Sequence, residues 1–168
     1  MFGSGIVVPM AASKSTRRVI AALHAHGVDA EVRDMPGSTR TAQDAADAVG
    51  CDVAQIVKSL VFASEDGHAW LVLASGPNRV DPDLLQKRAG SRLTMADPAT
   101  VRDVTGFAIG GVAPVGLAHE MPVLIDEDLL AHDVVWAAAG TPKSVFPIDP
   151  DVLRRISGAD VVRVVGAA

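Results

Sequence analysis

One lysine stands inside an otherwise apolar run: Ile56, Val57, Lys58, Ser59, Leu60, Val61 and Phe62, in which only Ser59 is also polar. The run reads as a β-strand. Its period of two puts Val57, Ser59 and Val61 on one face and Lys58, Leu60 and Phe62 on the other. A lysine beside bulky apolar neighbours is rarely fully buried without a partner. Two roles fit it. It guards a strand edge against aggregation, or it lies at the floor of a cleft, where an ammonium binds a phosphate or carboxylate or polarises a carbonyl. The second unusual feature is residues 105–116, with Gly106, Gly110, Gly111 and Gly116, Pro114 and no charged side chain. Glycine costs a helix interior about 1 kcal/mol against alanine, and proline about 3 kcal/mol. Glycine also weakens strands and marks the close approach of a backbone or ligand. This stretch is therefore expected to be a loop or broken strand whose bare N–H groups face something.

The familiar catalytic signatures are missing. His24, His26, His68, His119 and His132 have no metal-ligand spacing, so no metal site is expected. The single cysteine, Cys51, has no recognisable base near it in sequence and reads as a small packed thiol. No serine lies in a Gly-x-Ser-x-Gly elbow, and residues 110–116 lack the Gly-Lys-Ser/Thr ending of a phosphate loop. Asp126, Glu127 and Asp128 read as acids at the start of a helix, where they complement its dipole. Trp136 and Phe146 read as core.

The elements that must position these residues follow from caps and periodicity. Ser13 or Ser15 opens a helix through Ala25 that Gly27 stops, and residues 28–32 read as a short strand. Pro36 and Gly37 turn the chain. Thr41 caps an alanine-rich helix ending at Gly50. A helical turn at residues 52–55 leads into the lysine strand, which a turn at residues 65–67 joins to a second strand at 70–73 as a hairpin. Asp81-Pro82, Asp97-Pro98 and Asp149-Pro150 each open a helix, with proline at the favoured first position. Short strands are expected at residues 92–95, 122–125, 134–138, 145–148 and 161–165, with a short helix at 126–131. Hairpins outnumber clean βαβ units, which favours an α/β fold with a mixed sheet and helices packed around it.

Length and composition set the class. The chain has 168 residues, 49% hydrophobic and 21% charged, which suits one globular domain over residues 13–168 behind a loose tail at 1–12. A lone cysteine suits a reducing cytoplasm. The apolar residues 5–12 are too short to span a bilayer and no basic region precedes them, so neither a membrane partner nor a signal peptide is expected. The net charge of −5 argues against a DNA-coating protein, but not against an enzyme that meets only the end of an RNA.

Taken in order, these motifs resemble the YbaK/EbsC family, the editing domains associated with prolyl-tRNA synthetase. The resemblance rests on the lysine strand at 56–62, on Asn78-Arg79-Val80-Asp81 before a helix, on residues 105–116, on Val123 to Glu127, and on the late loop Ala138-Ala139-Gly140-Thr141-Pro142. It spans residues 41–165. It implies a partly barrel-like mixed sheet ringed by helices, and a metal-independent, cofactor-free hydrolase that frees a wrong amino acid from the 3′ end of tRNA. It implies catalytic roles for Lys58, Gly110 and Gly111. It implies a substrate pocket drawn from Thr41, Phe62, Val112, Ala113, Pro114, Gly116, Gly140 and Thr141, small enough to admit alanine, serine, threonine or cysteine. The late loop departs from the family's commoner glycine/basic pattern in carrying Thr141, Pro142 and Lys143. The expected partners are the tRNA acceptor end and prolyl-tRNA synthetase, with the protein acting in trans as a monomer or homodimer. Two other classes remain beside this one: a non-catalytic tRNA- or protein-binding regulator of the same fold, and a hydrolase of another small acyl ester.

Overall fold

The computed structural model describes residues 12–29, 31–35 and 41–166. The expected tail at 1–12, apart from Ala12, and the turn at Pro36-Gly37 lie outside these residues. Five α-helices and eight strands are described: α1 (Lys14–Ala25), β1 (Arg33–Asp34), α2 (Ala42–Val49), β2 (Val57–Ser64), β3 (Ala69–Ser75), α3 (Pro82–Ala89), β4 (Leu93–Met95), α4 (Pro98–Thr105), β5 (Val123–Asp126), β6 (Val135–Ala138), β7 (Ser144–Ile148), α5 (Pro150–Ser157) and β8 (Asp160–Val162). The helices begin where local chemistry dictates. Ser13 accepts from the Thr16 N–H, Thr41 and Asp44 form a reciprocal capping box, and Asp81, Asp97 and Asp149 each cap a helix with proline in its first turn.

The strands form two sheets. One runs β4-β2-β3-β5-β8, with β2 antiparallel to β3 and β4, and β5 parallel to β3 and β8. The other runs β1-β7-β6, all antiparallel. A single parallel bridge from Ile56 to Trp136 joins them, so β6 continues the curve of the first sheet beyond β2. The mixed strand directions and the helices around them are as the sequence led us to expect, with the strands divided between two sheets.

Apolar burial covers the five-stranded sheet on both faces. Val57, Val61, Leu71 and Leu73 pack with Val19, Ile20 and Leu23 of α1 and with Phe107 and Phe146. Phe62, Val72 and Leu124 pack the other face with Leu85 of α3. Phe107 and Phe146 are almost fully buried, and each contributes about 1.5–3 kcal/mol by leaving water. A third cluster joins Ala45 and Ala46 of α2 to Ile56, Trp136 and Val145, so the small side chains of α2 let it sit close to the junction of the sheets.

Two strand expectations are corrected. The strand expected at residues 28–32 is displaced to Arg33–Asp34, because only there does the chain meet its partner, Val145 and Ser144 of β7. The last strand ends at Val162 rather than Val165, because β5 offers no partner beyond Asp126. Val164 leaves the ladder, is buried, and accepts from the Asp81 N–H at 2.7 Å.

Candidate active site

A cavity of about 530 Å³ opens where the two sheets meet. That lies within the roughly 300–1,000 Å³ typical of small-molecule pockets. Its walls come from β2, α2, β4, β6, the glycine stretch and the late loop. They are mostly apolar, with Val57, Val61, Ala96, Val101, Val112 and Trp136 among them. Met95 and Ile109 also line it and are 58% and 50% exposed, which places large apolar side chains in contact with solvent at its mouth.

Of the residues singled out in the sequence, Lys58, Gly110, Thr41, Val112 and Thr141 line this cavity. Phe62 does not. By the strand's period it shares the face of Lys58 and Leu60, but it is buried further along β2 in the cluster of Val72, Leu85 and Leu124. Ala113 and Pro114 are buried behind the cavity wall. Gly116 and Gly140 sit against α1, near Arg18 and Ser15.

Residues 108–111 form a tight turn. The Gly111 N–H donates to the Ala108 carbonyl at 2.9 Å, and Gly110, with φ +85°, supplies the left-handed position such a turn needs. The glycine pair therefore divides its work. The Gly111 donor closes the turn, while the Gly110 N–H has no hydrogen-bond partner among the described residues. Gly111 also explains itself by contact. A Cβ there would stand 2.8 Å from the Thr141 Cα and 3.1 Å from the Pro142 nitrogen. The glycine stretch thus lies directly on the late loop, backbone against backbone.

The late loop is held in turn. Thr141 Oγ1 donates to Ser144 Oγ at 2.9 Å, and Ser144 Oγ donates to the Asp34 carboxylate at 2.8 Å. Trp136 is an expected core residue, and it also forms part of the cavity wall. The guanidinium of Arg33 lies 4.9 Å from the centre of its ring.

The Lys58 ammonium donates to the main-chain carbonyl of Asn78 at 2.5 Å. Burial lowers its pKa from the usual 10.5, and the negative charge of Asp126 opposes that shift. Asp126 is 1% exposed and ties this corner together. Its carboxylate accepts from the Ser75 N–H at 3.0 Å, from the Asn78 side-chain amide at 2.8 Å and from the Asp128 N–H at 2.9 Å. The helix-start role read for Asp126 holds, since it does cap the 3-10 turn Glu127–Ala131. The sequence reading missed that the same carboxylate anchors the loop holding Lys58. The available signal was an acid placed directly after three apolar strand residues, Val123, Leu124 and Ile125.

Cys51 lies apart from this arrangement. Burial and Asp52 both push its thiol above its ordinary pKa, the reverse of an activated nucleophile. No group of three or more metal-ligating side chains occurs among the described residues.

The family model of the aminoacyl-tRNA editing domain matches residues 37–156. The chain belongs to the aminoacyl-tRNA editing domain family. A solved structure of a candidate trans-editing enzyme for prolyl-tRNA synthetase superposes with a TM-score of 0.88 at 47% identity, covering 94% of this chain and 100% of that one. The uncharacterized protein YwhH of Bacillus subtilis is 32% identical over 131 residues, 78% of this chain and 83% of YwhH. The proline–tRNA ligase of Thermosipho melanesiensis is 32% identical over 83 residues, 49% of this chain but 14% of the ligase. Among the described residues, no helix is long and apolar enough to cross a membrane.

Proposed function

We propose that the protein is a trans-editing deacylase. It hydrolyses the ester between a mischarged small amino acid and the 3′ end of tRNA, with tRNA-Pro or a related tRNA as substrate and a prolyl-tRNA synthetase as its partner in fidelity. The observation that carries this reading is the cavity itself: apolar walls, the main-chain donor of Gly110 without a partner among the described residues, and the lysine, in a chain of the editing family. An aminoacyl ester is already activated, so a placed water and a stabilised oxyanion suffice. The Gly110 N–H donates to the ester carbonyl oxygen as it gains negative charge. Water adds to the carbonyl carbon, the bond to the ribose oxygen breaks, and the proton passes to that oxygen, with the neighbouring ribose hydroxyl as relay. Lys58 leaves the Asn78 carbonyl to hold a phosphate of the terminal nucleotide, and Met95 and Ile109 offer apolar surface to its base.

Size sorting supplies the biological logic. A synthetase separates side chains that differ by one methylene by only about 1–3 kcal/mol, so a second hydrolytic site adds the missing discrimination. The expected substrates are alanine, serine, threonine or cysteine esters. The test is a deacylation screen over these amino acids and proline, each on tRNA and as a simple methyl ester. Release of one small amino acid from tRNA, with its methyl ester left intact, is the expected result. Equal turnover of the methyl ester would favour a general acyl-ester hydrolase instead.

A further inference from the structure

β2 and β3 run antiparallel in unbroken register, from Val57 opposite Ser75 to Ala63 opposite Ala69. In such a pair, alternate residues turn both main-chain groups toward the partner strand and the others turn them away. Two hydrogen bonds fix which are which. The Ser64 N–H donates to the His68 carbonyl at 2.9 Å, continuing the β3 register, so even-numbered residues of β2 face β3. The Ala96 N–H donates to the Val61 carbonyl at 3.0 Å on the opposite side, so odd-numbered residues face away.

On that outer side β4 pairs with β2 only from Phe62 onward, and β6 meets the chain only at the Ile56–Trp136 bridge. Ser59 lies in the gap between them. Met95 and Ala96 at one end of this gap and Trp136 and Ala138 at the other all line the cavity, as does Ser59. The Ser59 N–H and carbonyl therefore point from the strand edge toward the cavity, on a side where no strand of the described residues pairs with Ser59. A second observation falls on the same residue. Ser59 Oγ is closed off from solvent and lacks a hydrogen-bond partner among the described residues. The other hydroxyls and the ammonium of the cavity lining, on Thr41, Thr141, Ser144 and Lys58, are all engaged.

We propose that the open edge of β2 at Ser59 recognises the amino-acid backbone of the substrate, which adds to the sheet as a one-residue strand. The α-ammonium donates to the Ser59 carbonyl, with the Ser59 hydroxyl turning to offer it a second acceptor, and the Ser59 N–H meets the ester carbonyl. The chemistry matches in kind. An ammonium carries three donors and no acceptor, and an unpaired strand edge carries the alternating groups that a peptide-like ligand completes. The assignment rests on the deacylase reading and deepens it, because it makes the site selective for aminoacyl esters over other acyl esters.

The test replaces the α-ammonium by a hydroxyl at nearly constant size. Alanyl-tRNA is compared with lactyl-tRNA, and seryl-tRNA with glyceryl-tRNA. Each rate is divided by the same ester's hydrolysis without protein, since the ammonium also activates the ester chemically. The enhancement is expected to be at least about tenfold smaller for the hydroxy acid, the size of one lost charge-assisted hydrogen bond. Ser59→Ala is expected to lower the aminoacyl rate severalfold and the hydroxyacyl rate by less, since a hydroxyl offers one uncharged donor where the ammonium offers three charged ones. Equal enhancement within both pairs would overturn the assignment while leaving the deacylase reading intact. An equal loss on both esters in Ser59→Ala would overturn the role of the hydroxyl. Hydrolysis of none of the four esters, nor of any in the wider screen, would overturn both proposals together.

Discussion

Adding one methyl group at Gly111, and separately at Gly110, tests whether the contact between the glycine stretch and the late loop sets the geometry of the cavity. At Gly111 a Cβ would lie 2.8 Å from the Thr141 Cα, 2.9 Å from its carbonyl carbon and 3.1 Å from the Pro142 nitrogen, all main-chain atoms that no rotamer change can move aside. Carbon atoms settle about 3.5–4.0 Å apart, so the loops must part by about 0.7 Å or more. Overpacking of this kind costs about 1–3 kcal/mol, and a misplacement near 1 Å can cost about 10² in rate. At Gly110 the nearest atoms are Pro142 Cγ at 3.7 Å and Cβ at 3.8 Å, so there is room, and the penalty is the positive φ of +85°, about 1–2 kcal/mol. The two variants should therefore lose similar stability but unequal activity. Gly111→Ala is expected to fall about 10²-fold in deacylation and Gly110→Ala much less, since the N–H of residue 110 survives. Urea unfolding followed by tryptophan fluorescence, beside single-turnover deacylation, measures both quantities. A folded Gly111→Ala protein with activity within severalfold of wild type, or a Gly110→Ala protein that is the more impaired, would refute this reasoning.

Other outcomes follow from the same corner of the structure. If the charged form of Lys58 is the active one, activity relative to uncatalysed hydrolysis holds at low pH and falls as pH rises through a midpoint below the usual 10.5. Lys58→Arg should remove that fall. In that window the unfolded chain binds more protons than the native one, so this group raises stability with pH, and a denaturation curve separates lost charge from lost fold. Asp126→Asn removes the charge that holds the Lys58 pKa up, so the alkaline fall should move to lower pH. It should also cost about 1–3 kcal/mol in urea unfolding, for a buried hydrogen bond left incomplete. Cys51→Ser should keep activity within about twofold, and Cys51 should react more slowly with iodoacetamide at neutral pH than a free thiol of ordinary pKa near 8.5, because burial and Asp52 both disfavour its thiolate.

Features written in short-range chemistry were legible in the sequence. The Asp-Pro helix starts at Asp81, Asp97 and Asp149 emerged as expected because a cap is satisfied within its own first turn. The lysine strand and its hairpin did too, since seven residues of β-prone sequence and a Glu65-Asp66-Gly67 turn leave little choice. What stayed hidden depended on long-range register. Asp126 reaches Asn78 and Ser75 because β5 lies beside β3, which no local pattern announces. The place of β1 follows from where β7 arrives rather than from the β-prone residues before it. Met95, Ile109 and Trp136 line the cavity but read in sequence as ordinary apolar positions, because an apolar wall and an apolar core share one pattern. The glycine pair was visible, whereas the division of labour inside it, with Gly111 closing a turn and Gly110 left free, required the backbone.

The most direct measurement is release of amino acid from tRNA charged with alanine, serine, threonine, cysteine or proline, by wild type and by Lys58→Ala side by side, with matched unfolding curves. The account predicts that wild type frees one small amino acid and that Lys58→Ala, equally folded, is slower by at least about 10²-fold, the cost of losing the contact that positions the terminal nucleotide. No release from any of these tRNAs by wild type would contradict the deacylase, and a Lys58→Ala rate within severalfold of wild type would remove the lysine from its mechanism.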